Sequence, residues 1–250
     1  MLIKHGPLYQ ILLLVSIPLI ISQCVYDSKT IDTKKIIRKC QKAVVEIDFV
    51  VRKYDEKLRE LLDTVAVASG FLISKDGYLL TAKHVIEKTK EHKAIMEIRV
   101  KTSDGRSLKA SVPRPYPPQI GLDIGILKIN DVSVLSYLQI EVDRLELGEE
   151  VAVLGYPEEK EKRGITVTRG IINNIFYTRE EFRISAQGSK GSSGSPVLNS
   201  EGKVIGIQTA TPDPIRDDKW VGLFHRAANV VMHRKEILDF IEQHRDKYKK

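Results

Sequence analysis

The sequence contains only two cysteines among 250 residues, Cys24 and Cys40. An intramolecular disulfide would therefore have to join these two, and it is excluded if Cys24 is lipidated or removed with an export signal. In that case the stability of the mature chain comes from packing rather than from covalent cross-links. Cys40 is most simply a small buried or partly buried side chain in an apolar pattern.

The sequence also lacks a fixed-period repeat and any low-complexity segment. It has no cluster of metal ligands and no phosphate-binding glycine loop, so we expect no cofactor and no bound metal. With 42% hydrophobic and 29% charged residues, the chain can bury a full core, either as one domain or as two small barrels.

Positive charge is in excess but is not concentrated, and the formal net charge is +7. Most basic residues lie among acids, as in RKYDEKLRE and EEKEKR, and only the tail HRDKYKK is locally basic. No basic strip with interleaved aromatic residues and no finger motif is present, so we do not expect nucleic-acid binding. Much of this charge is typical of a solvated surface.

A long apolar run is also missing, and a short one lies at the N-terminus. The stretch Ile11–Ile21 is broken only by Ser16 and Pro18, which is short for a membrane span and typical of the apolar part of a secretory signal. The ending IISQC resembles a lipoprotein signal, so Cys24 is a candidate for lipidation, although Gln23 replaces the usual small residue. We therefore expect an exported protein that is anchored at the cell envelope or is extracellular. Cleavage elsewhere and an uncleaved anchor are the alternatives.

Turn signals recur between apolar runs that are rich in β-branched residues, at KDGY, SDGR, LGEE and SEGK. This pattern favours an all-β body over alternating strands and helices. The stretch KGSSGSPVLN, from Lys190 to Asn199, comes directly before one predicted hairpin. A run of glycine and serine is usually a flexible linker, but a linker rarely lies directly before a hairpin as this one does.

Two polar residues stand at the edges of other predicted strands. His84 follows the apolar run YLLTA, and Asp123 precedes the run IGILKI. An acid that enters a buried strand is costly unless it is paired, so Asp123 requires a partner. Taken singly, His84 is as readily a structural residue, and Asp123 is as readily a turn residue bonded to its own backbone.

The order His84, Asp123, Ser193, within TAKHV, DIGILKI and GSSGSP, resembles the trypsin-like serine proteases of chymotrypsin fold. The closer resemblance is to the HtrA/Deg branch, over roughly residues 43–230. It rests on motifs that occur in the same order: SGFLISKDGYLLTAKHVIE, DIGILKIN, LELGEEVAVLGYP, TVTRGIINNI, GSSGSPVLNSEGKVIGIQTA and VGLFHRAAN.

The resemblance implies an all-β fold of two six-stranded antiparallel β-barrels with a C-terminal helix. The domain boundaries it implies are a signal at 1–24, an N-terminal segment at 25–42, and a protease domain at 43–250. Within that domain we expect barrel one at about 43–130, barrel two at about 145–228 and the helix at about 229–247.

The resemblance also implies the roles of the site residues. In the G-x-S-G-x-P loop the nucleophile is the third residue, which is Ser193, and Ser192 and Ser195 are scaffold. His84 is then the general base and Asp123 orients it. The backbone N–H groups of Gly191 and Ser193 form the oxyanion hole.

Specificity is implied by the same comparison, with the pocket floor about six residues before the nucleophile, at Gln187. The absence of an acid there argues against a preference for Arg or Lys, and the branch implies a small or medium apolar side chain. Phe224 and His225 depart from the smaller or aliphatic residues that are usual there, and further walls are expected from Gly206–Ala210 and Gly222–His225. The pocket residues are Ala186, Gln187, Gly206, Ile207, Gln208 and His225.

Several features differ from the family pattern. No PDZ module is expected after the last protease motif, and the apolar spacing from Val230 to Ile241 predicts an amphipathic helix packed on the second barrel. The insertion RKYDEKLRELLD, at 52–63, is interpreted as a helical or a disordered loop of the kind that mediates oligomer contacts, so a homo-oligomer is among the expected states. No Ile-Val-Gly-Gly start is present, so activation by a new N-terminus is not indicated.

Three functions remain open at this point. The first is a serine endopeptidase that cleaves polypeptides in envelope or extracellular protein quality control. The second is a catalytically latent protease fold that serves as a chaperone-like or binding scaffold. The third is a membrane-associated anchoring protein whose triad-like residues are coincidental.

Overall fold

A computed structural model describes residues 30–54, 60–91, 96–114, 123–130, 136–158, 164–210 and 225–245. The predicted signal, the lipidation candidate Cys24, and the pocket residues Gly222 and Phe224 lie outside these ranges. The described helices are α1 (Thr33–Cys40), α2 (Lys83–Glu91) and α3 (Arg234–His244). The described strands are β1 (Val44–Tyr54), β2 (Glu60–Leu72), β3 (Tyr78–Ala82), β4 (Met96–Lys101), β5 (Ser107–Ser111), β6 (Ile124–Ile129), β7 (Glu150–Gly155), β8 (Thr166–Phe176), β9 (Glu181–Ile184), β10 (Pro196–Leu198), β11 (Val204–Ala210) and β12 (His225–Asn229).

The strands form two closed barrels. The first has the order β1-β2-β3-β6-β5-β4, and the second has the order β10-β11-β12-β9-β8-β7. The paired neighbours are antiparallel throughout. The prediction of two six-stranded antiparallel barrels with a C-terminal helix is confirmed.

The strands with continuous apolar sequence are the ones that the fold buries completely. Every residue of β3 and of β6 is buried, and the two strands pair along their whole length, from Tyr78 opposite Lys128 to Ala82 opposite Ile124. The predicted turns have glycines in the left-handed region, which a side chain rarely adopts, and three of these turns close hairpins while the fourth, with Gly148, leads into β7. These glycines are Gly77, Gly105, Gly148 and Gly202.

The insertion between the first two strands is neither a helix nor a loop in its described part. β1 and β2 continue through it as a hairpin, with Val51 opposite Asp63 and Tyr54 opposite Glu60. Residues 55–59 lie outside the described part of the chain. The Leu, Glu, Lys and Arg content of the insertion favours a helix locally, but the ladder that begins at the barrel supplies backbone partners to both arms.

The C-terminal helix docks on barrel one as well as on barrel two, which corrects the prediction that it packs on the second barrel. The Tyr78 hydroxyl donates to the His244 carbonyl at 3.2 Å. Arg245 Nε donates to Asp76 Oδ2 at 2.8 Å. These two hydrogen bonds join the β2–β3 region to the end of α3. The apolar residues of the helix are buried in a core cluster that includes residues of both barrels, and they are Ile237, Phe240 and Ile241.

The segment before barrel two is tied to that barrel by backbone and side-chain bonds. Ile140 forms an isolated bridge with Val204, and Glu141 N–H donates to the Val204 carbonyl at 2.9 Å. The Glu141 carboxylate is buried and accepts from Asn199 Nδ2 at 2.6 Å and from Lys203 Nζ at 3.3 Å. This segment therefore holds one end of the connection between the barrels in place.

Cys40, at the end of α1, is fully buried, and its thiol donates to the Gly202 carbonyl at 3.6 Å. Burial raises the pKa of the Cys40 thiol to about 11, so the group is a neutral packing residue at physiological pH. Within the described ranges, none of the helices combines the length and the apolar character that crossing a membrane requires.

Candidate active site

His84 and Asp123 are brought together by the junction of β3, α2 and β6. β3 ends at Ala82, and His84 lies in the first turn of α2. Asp123 immediately precedes β6, the strand that pairs with β3. The Asp123 carboxylate accepts the backbone N–H of His84 at 2.8 Å through Oδ1 and contacts His84 Nδ1 at 2.7 Å through Oδ2. Since an ionised carboxylate only accepts, Nδ1 carries the proton in this arrangement and Nε2 presents a lone pair.

This close approach of α2 to β6 depends on a glycine. A Cβ at Gly125 would lie 2.6 Å from Ile86 Cδ1 and 3.2 Å from Lys83 Cα. A larger residue there would require the Ile86 side chain to move and would crowd the first turn of α2, which bears His84. The sequence motif DIGILKI therefore supplies both the carboxylate and the space that lets the helix reach it.

Ser193 lies in the loop between β9 and β10, which crosses to barrel one. The Ser193 carbonyl accepts the backbone N–H of Ser69, in β2, at 2.9 Å. A Cβ at Gly194 would overlap the Ser69 carbonyl and the Thr81 hydroxyl, and Gly194 has a φ of +91°. Thr81 is on β3, three residues before His84, so the nucleophile loop packs on the strand that leads to His84.

The Ser193 hydroxyl itself points to a backbone carbonyl. It donates to the Thr209 carbonyl at 3.4 Å, which is a long contact for O–H···O. Within the described part of the chain it makes no hydrogen bond to His84. The structure therefore brings His84 and Asp123 into direct contact and places Ser193 on the adjoining loop, without a bond between serine and histidine.

The N–H groups of Gly191 and Ser193 are both free of acceptors within the described residues. The Lys190 carbonyl accepts from Glu158 N–H at 2.7 Å, and because C=O and N–H are antiparallel in a trans peptide, the Gly191 N–H points the opposite way. The Ser192 carbonyl likewise accepts from Ser195 N–H at 3.0 Å, which leaves the Ser193 N–H directed away from the loop interior. Two free backbone donors two residues apart can stabilise an oxyanion.

A small uncharged cavity of about 30 Å³ lies beside this loop. No Asp, Glu, Lys or Arg is among its described lining residues, which include Gln187, Ser189 and Gln208. The Gln208 side chain is 1% exposed, and neither its amide oxygen nor its amide nitrogen has a partner in the described part of the chain. The buried Ser195 hydroxyl, which also lines the cavity, has no partner there either.

Ala186, Gly206 and Ile207 are not among the described residues that line this cavity. Ala186 and Ile207 are buried in the apolar core, and a Cβ at Gly206 would lie 2.5 Å from Phe182 Cζ, so this glycine makes room for an aromatic ring. His225 begins β12, opposite Ile184, and its side chain is outside the described part. Of the six predicted pocket residues, Gln187 and Gln208 line the cavity.

Two ionisable features lie near the nucleophile loop, an ion pair and a buried phenol. On its exposed rim, Lys190 Nζ pairs with Glu158 Oε2 at 2.9 Å. Burial, followed by the charge of Glu46, raises the pKa of Tyr156, which keeps this phenol neutral. Among the described residues, no three His, Cys, Asp or Glu side chains are grouped so as to hold a metal ion.

Ser69 and Glu158 also contact the nucleophile loop, and neither was among the predicted site residues. Glu158 acts through its backbone N–H, which no side-chain pattern reveals. Ser69 carries a weak signal, because it is a polar residue in an otherwise apolar strand segment, AVASGFLI. A fully buried serine needs hydrogen-bond partners, and these come from the other barrel.

The comparison with protein families agrees with this arrangement. Residues 68–207, more than half of the chain, match the family described as trypsin-like peptidase domain. The matched region contains His84, Asp123 and Ser193, together with strands of both barrels.

Individual relatives carry related names. A "probable periplasmic serine endoprotease DegP-like" of Bartonella henselae is 31% identical over 160 residues, which cover 61% of this chain and 29% of that protein. A protein with the same name from Halomonas elongata is 32% identical over 150 residues, covering 58% and 29%. A "probable serine protease do-like" of Buchnera aphidicola is 32% identical over 158 residues, covering 60% and 30%. The aligned part is thus less than a third of the length of these relatives. With the two barrels and the family match, this similarity identifies the chain as a member of the trypsin-like peptidase family, in its HtrA/Deg-like branch.

Proposed function

We propose that the chain is a serine endopeptidase in which Ser193, His84 and Asp123 form the catalytic triad. The observation that carries the proposal is the two-point contact of His84 with Asp123, which leaves His84 Nε2 free to accept a proton. A serine hydroxyl is a weak nucleophile at neutral pH and needs such a base as it attacks. The loop that bears Ser193 packs on β3, the strand that precedes His84.

In the proposed reaction the Ser193 oxygen attacks the carbonyl carbon of the scissile peptide bond, and its proton passes to His84 Nε2. The resulting oxyanion accepts hydrogen bonds from the Gly191 and Ser193 N–H groups. When the C–N bond breaks, His84 returns the proton to the leaving amine, and an acyl-enzyme remains. Water, deprotonated by His84, then attacks the acyl carbon, the C–O bond to Ser193 breaks, and His84 returns the proton to the Ser193 oxygen as the acid product leaves. Asp123 stays ionised throughout and stabilises the imidazolium.

The proposed substrates are polypeptides, and we expect an uncharged residue before the scissile bond. The cavity beside the loop contains no charged lining residue in the described part, which disfavours Arg, Lys, Asp and Glu because a buried charge requires a partner. A small side chain fits a cavity of about 30 Å³ better than a large one.

The proposed setting is the cell envelope, in protein quality control or degradation. It is supported by the periplasmic names of the relatives and by the apolar N-terminal run with Cys24, which lies outside the described residues. Membrane anchoring through this segment is part of the same proposal.

A second candidate is a latent protease fold that binds polypeptides without cleaving them. It is favoured by the Ser193 hydroxyl, which contacts the Thr209 carbonyl in place of His84. In this case the chain would act as a binding or chaperone-like scaffold, and turnover would require a partner that reorients Ser193.

A fluorophosphonate probe distinguishes the two. The full chain is incubated with the probe and the adduct is located by peptide mass spectrometry. An activated serine displaces fluoride, forms an O–P bond and transfers its proton to His84, so we expect one adduct, on Ser193, that is lost in Ser193→Ala and His84→Ala. Ser200→Ala, in the β10–β11 turn, is the matched serine control and should label normally. Absence of labelling in folded protein, or labelling that does not depend on His84, would contradict the endopeptidase proposal.

A further inference from the structure

Ser69 occupies a point where barrel one touches the nucleophile loop of barrel two. It lies in β2 and its residue surface is 0% exposed. The Ser69 hydroxyl accepts the Tyr156 N–H at 2.8 Å and donates to the Gly191 carbonyl at 3.0 Å. Since an N–H can only donate, the hydroxyl proton is left for Gly191, and the direction of both bonds is determined.

The backbone of Ser69 contacts the same loop. Its N–H donates to the Ser193 carbonyl at 2.9 Å. Its own carbonyl accepts the Thr81 hydroxyl at 2.7 Å, which ties Ser69 to β3. One residue of barrel one therefore binds the carbonyls of Gly191 and Ser193, the two residues whose N–H groups face outward as oxyanion donors.

The Gly191 N–H lies in the peptide plane before Gly191, which is held by Glu158 N–H on the Lys190 carbonyl. The plane after Gly191 is held at its carbonyl by the Ser69 hydroxyl and at its N–H by the bond from Ser192 to the Ser189 carbonyl at 3.0 Å. Gly191 has a φ of +88°, and glycine moves easily between backbone conformations, so the position of the residue depends on the bonds that hold both planes. Within the described residues, the Ser69 hydroxyl is the donor that the Gly191 carbonyl accepts.

We infer that the Ser69 hydroxyl is a positioning residue for the oxyanion donors, and this inference rests on the proposed peptidase function. Ser69 does not contact the reacting atoms. Its hydroxyl holds the Gly191 carbonyl against barrel one and links that carbonyl to Tyr156, the residue that follows β7. Removing the hydroxyl leaves the Gly191 carbonyl and the Tyr156 N–H without this partner in a buried site. Because an unpaired buried group costs free energy, we expect both groups to rotate toward other hydrogen-bond partners.

The test compares Ser69→Ala with Ser74→Ala. Ser74 is also a buried serine of barrel one, and its hydroxyl accepts the Tyr78 N–H at 3.1 Å, away from the nucleophile loop. Loss of one oxyanion donor lowers kcat by about 10²- to 10³-fold, and misplacing a donor should give roughly 10- to 10²-fold. We expect this fall in kcat for peptide hydrolysis by Ser69→Ala with KM and the shape of the pH profile unchanged, because base and binding site are intact. Ser74→Ala should leave kcat unchanged.

An unchanged kcat in folded Ser69→Ala, or an equal loss in Ser74→Ala, would overturn the inference. If Ser69→Ala does not fold, Ser69→Cys retains a side chain of similar size with a much weaker donor and should also lower kcat. Failure of the proposed function is recognised separately, because the wild-type chain would then neither hydrolyse peptides nor take the probe. Crystal structures of wild type and Ser69→Ala still decide the inference in that case. We expect the Gly191 carbonyl to be reoriented in the variant, and an identical loop would refute the role.

Discussion

Asp123 holds His84 at two points, through the backbone N–H at 2.8 Å and through Nδ1 at 2.7 Å. The first bond places the start of α2 against β6, and the second sets the orientation and the tautomer of the ring. Both depend on one carboxylate, so the position of the ring and its tautomer are coupled.

Asp123→Asn should separate these two effects. The amide oxygen can still accept the His84 N–H, but the amide NH₂ then faces Nδ1 and drives the proton to Nε2, the atom that must accept the proton of Ser193. We expect kcat to fall by on the order of 10⁴-fold, with a small change in the urea midpoint of unfolding. Asp239→Asn, an exposed aspartate in α3, is the control and should retain activity. Activity within a few-fold of wild type in Asp123→Asn would contradict the proposed triad.

Gly191→Ala should reduce both activity and stability. At a φ of +88° an alanine is strained, and its Cβ would lie 2.5 Å from Glu158 N, a backbone atom that cannot move without breaking its bond to the Lys190 carbonyl. We expect kcat to fall by about 10²- to 10³-fold, the loss associated with one oxyanion donor. The measurement is peptide hydrolysis together with urea unfolding. Gly164→Ala is the control, because a Cβ there meets no atom within 4 Å.

Gln208→Met should stabilise the protein. The Gln208 amide is buried, and neither of its polar atoms has a partner in the described part of the chain, so the folded state bears the cost of removing the amide from water. Methionine has a similar volume and no such cost, and we expect the free energy of unfolding to rise by about 1 kcal/mol, at the lower end of the range for an unsatisfied group. Gln243→Met, at an exposed position, should have little effect. A loss of stability in Gln208→Met would indicate that the amide is satisfied in solution.

Glu141 should make stability sensitive to acid. Burial raises the pKa of Glu141, but bonds from the Val142 and Asp143 N–H groups and from Lys203 and Asn199 outweigh it, and the folded-state pKa lies below the ordinary value of 4.5. A depressed pKa means that the contribution is present above the unfolded-state pKa and is lost as the pH falls through the folded-state value.

The corresponding test is urea unfolding of wild type and Glu141→Gln at pH about 7 and about 3. We expect the variant to be less stable by about 1–3 kcal/mol at the higher pH, because partners of the carboxylate lose a charge-assisted bond. The difference should shrink at the lower pH, because the wild-type carboxyl gains a proton as the pH falls toward its folded-state pKa. Glu146→Gln, at an exposed position of the same segment, should show no such dependence. A difference that stays constant with pH would contradict the assignment to Glu141.

Local sequence signals predicted the barrels well where strand and turn are both encoded nearby. The turn at KDGY places Gly77 at a φ of +86° between β2 and β3, as its glycine indicates. The insertion at 52–63 was predicted poorly, because local signals were the only guide there and they were misleading. Its local composition favours a helix, and only the pairing of β1 with β2 along the barrel makes it a hairpin in its described part.

The prediction of the candidate site was uneven for a physical reason. His84 and Asp123 each border a strand, and the family resemblance implied that they meet. The resemblance implied Gly206, Ile207 and Gln208 of β11 as pocket residues. Ile207 faces the opposite side of the strand from Gln208, and Gly206 packs against the Phe182 ring, so only Gln208 of these three lines the cavity.

The sequence by itself determined the strands, the tight turns and the family, because apolar periodicity, turn glycines and short motifs are local properties of the chain. The tertiary structure alone decided which groups face the nucleophile loop. Ser69 and Gly191 are far apart in sequence, and the hydroxyl of one reaches the carbonyl of the other only because two closed barrels pack against each other. The docking of α3 on Tyr78 has the same origin. Such contacts are between backbone groups and single hydroxyls, which carry no pattern along the chain.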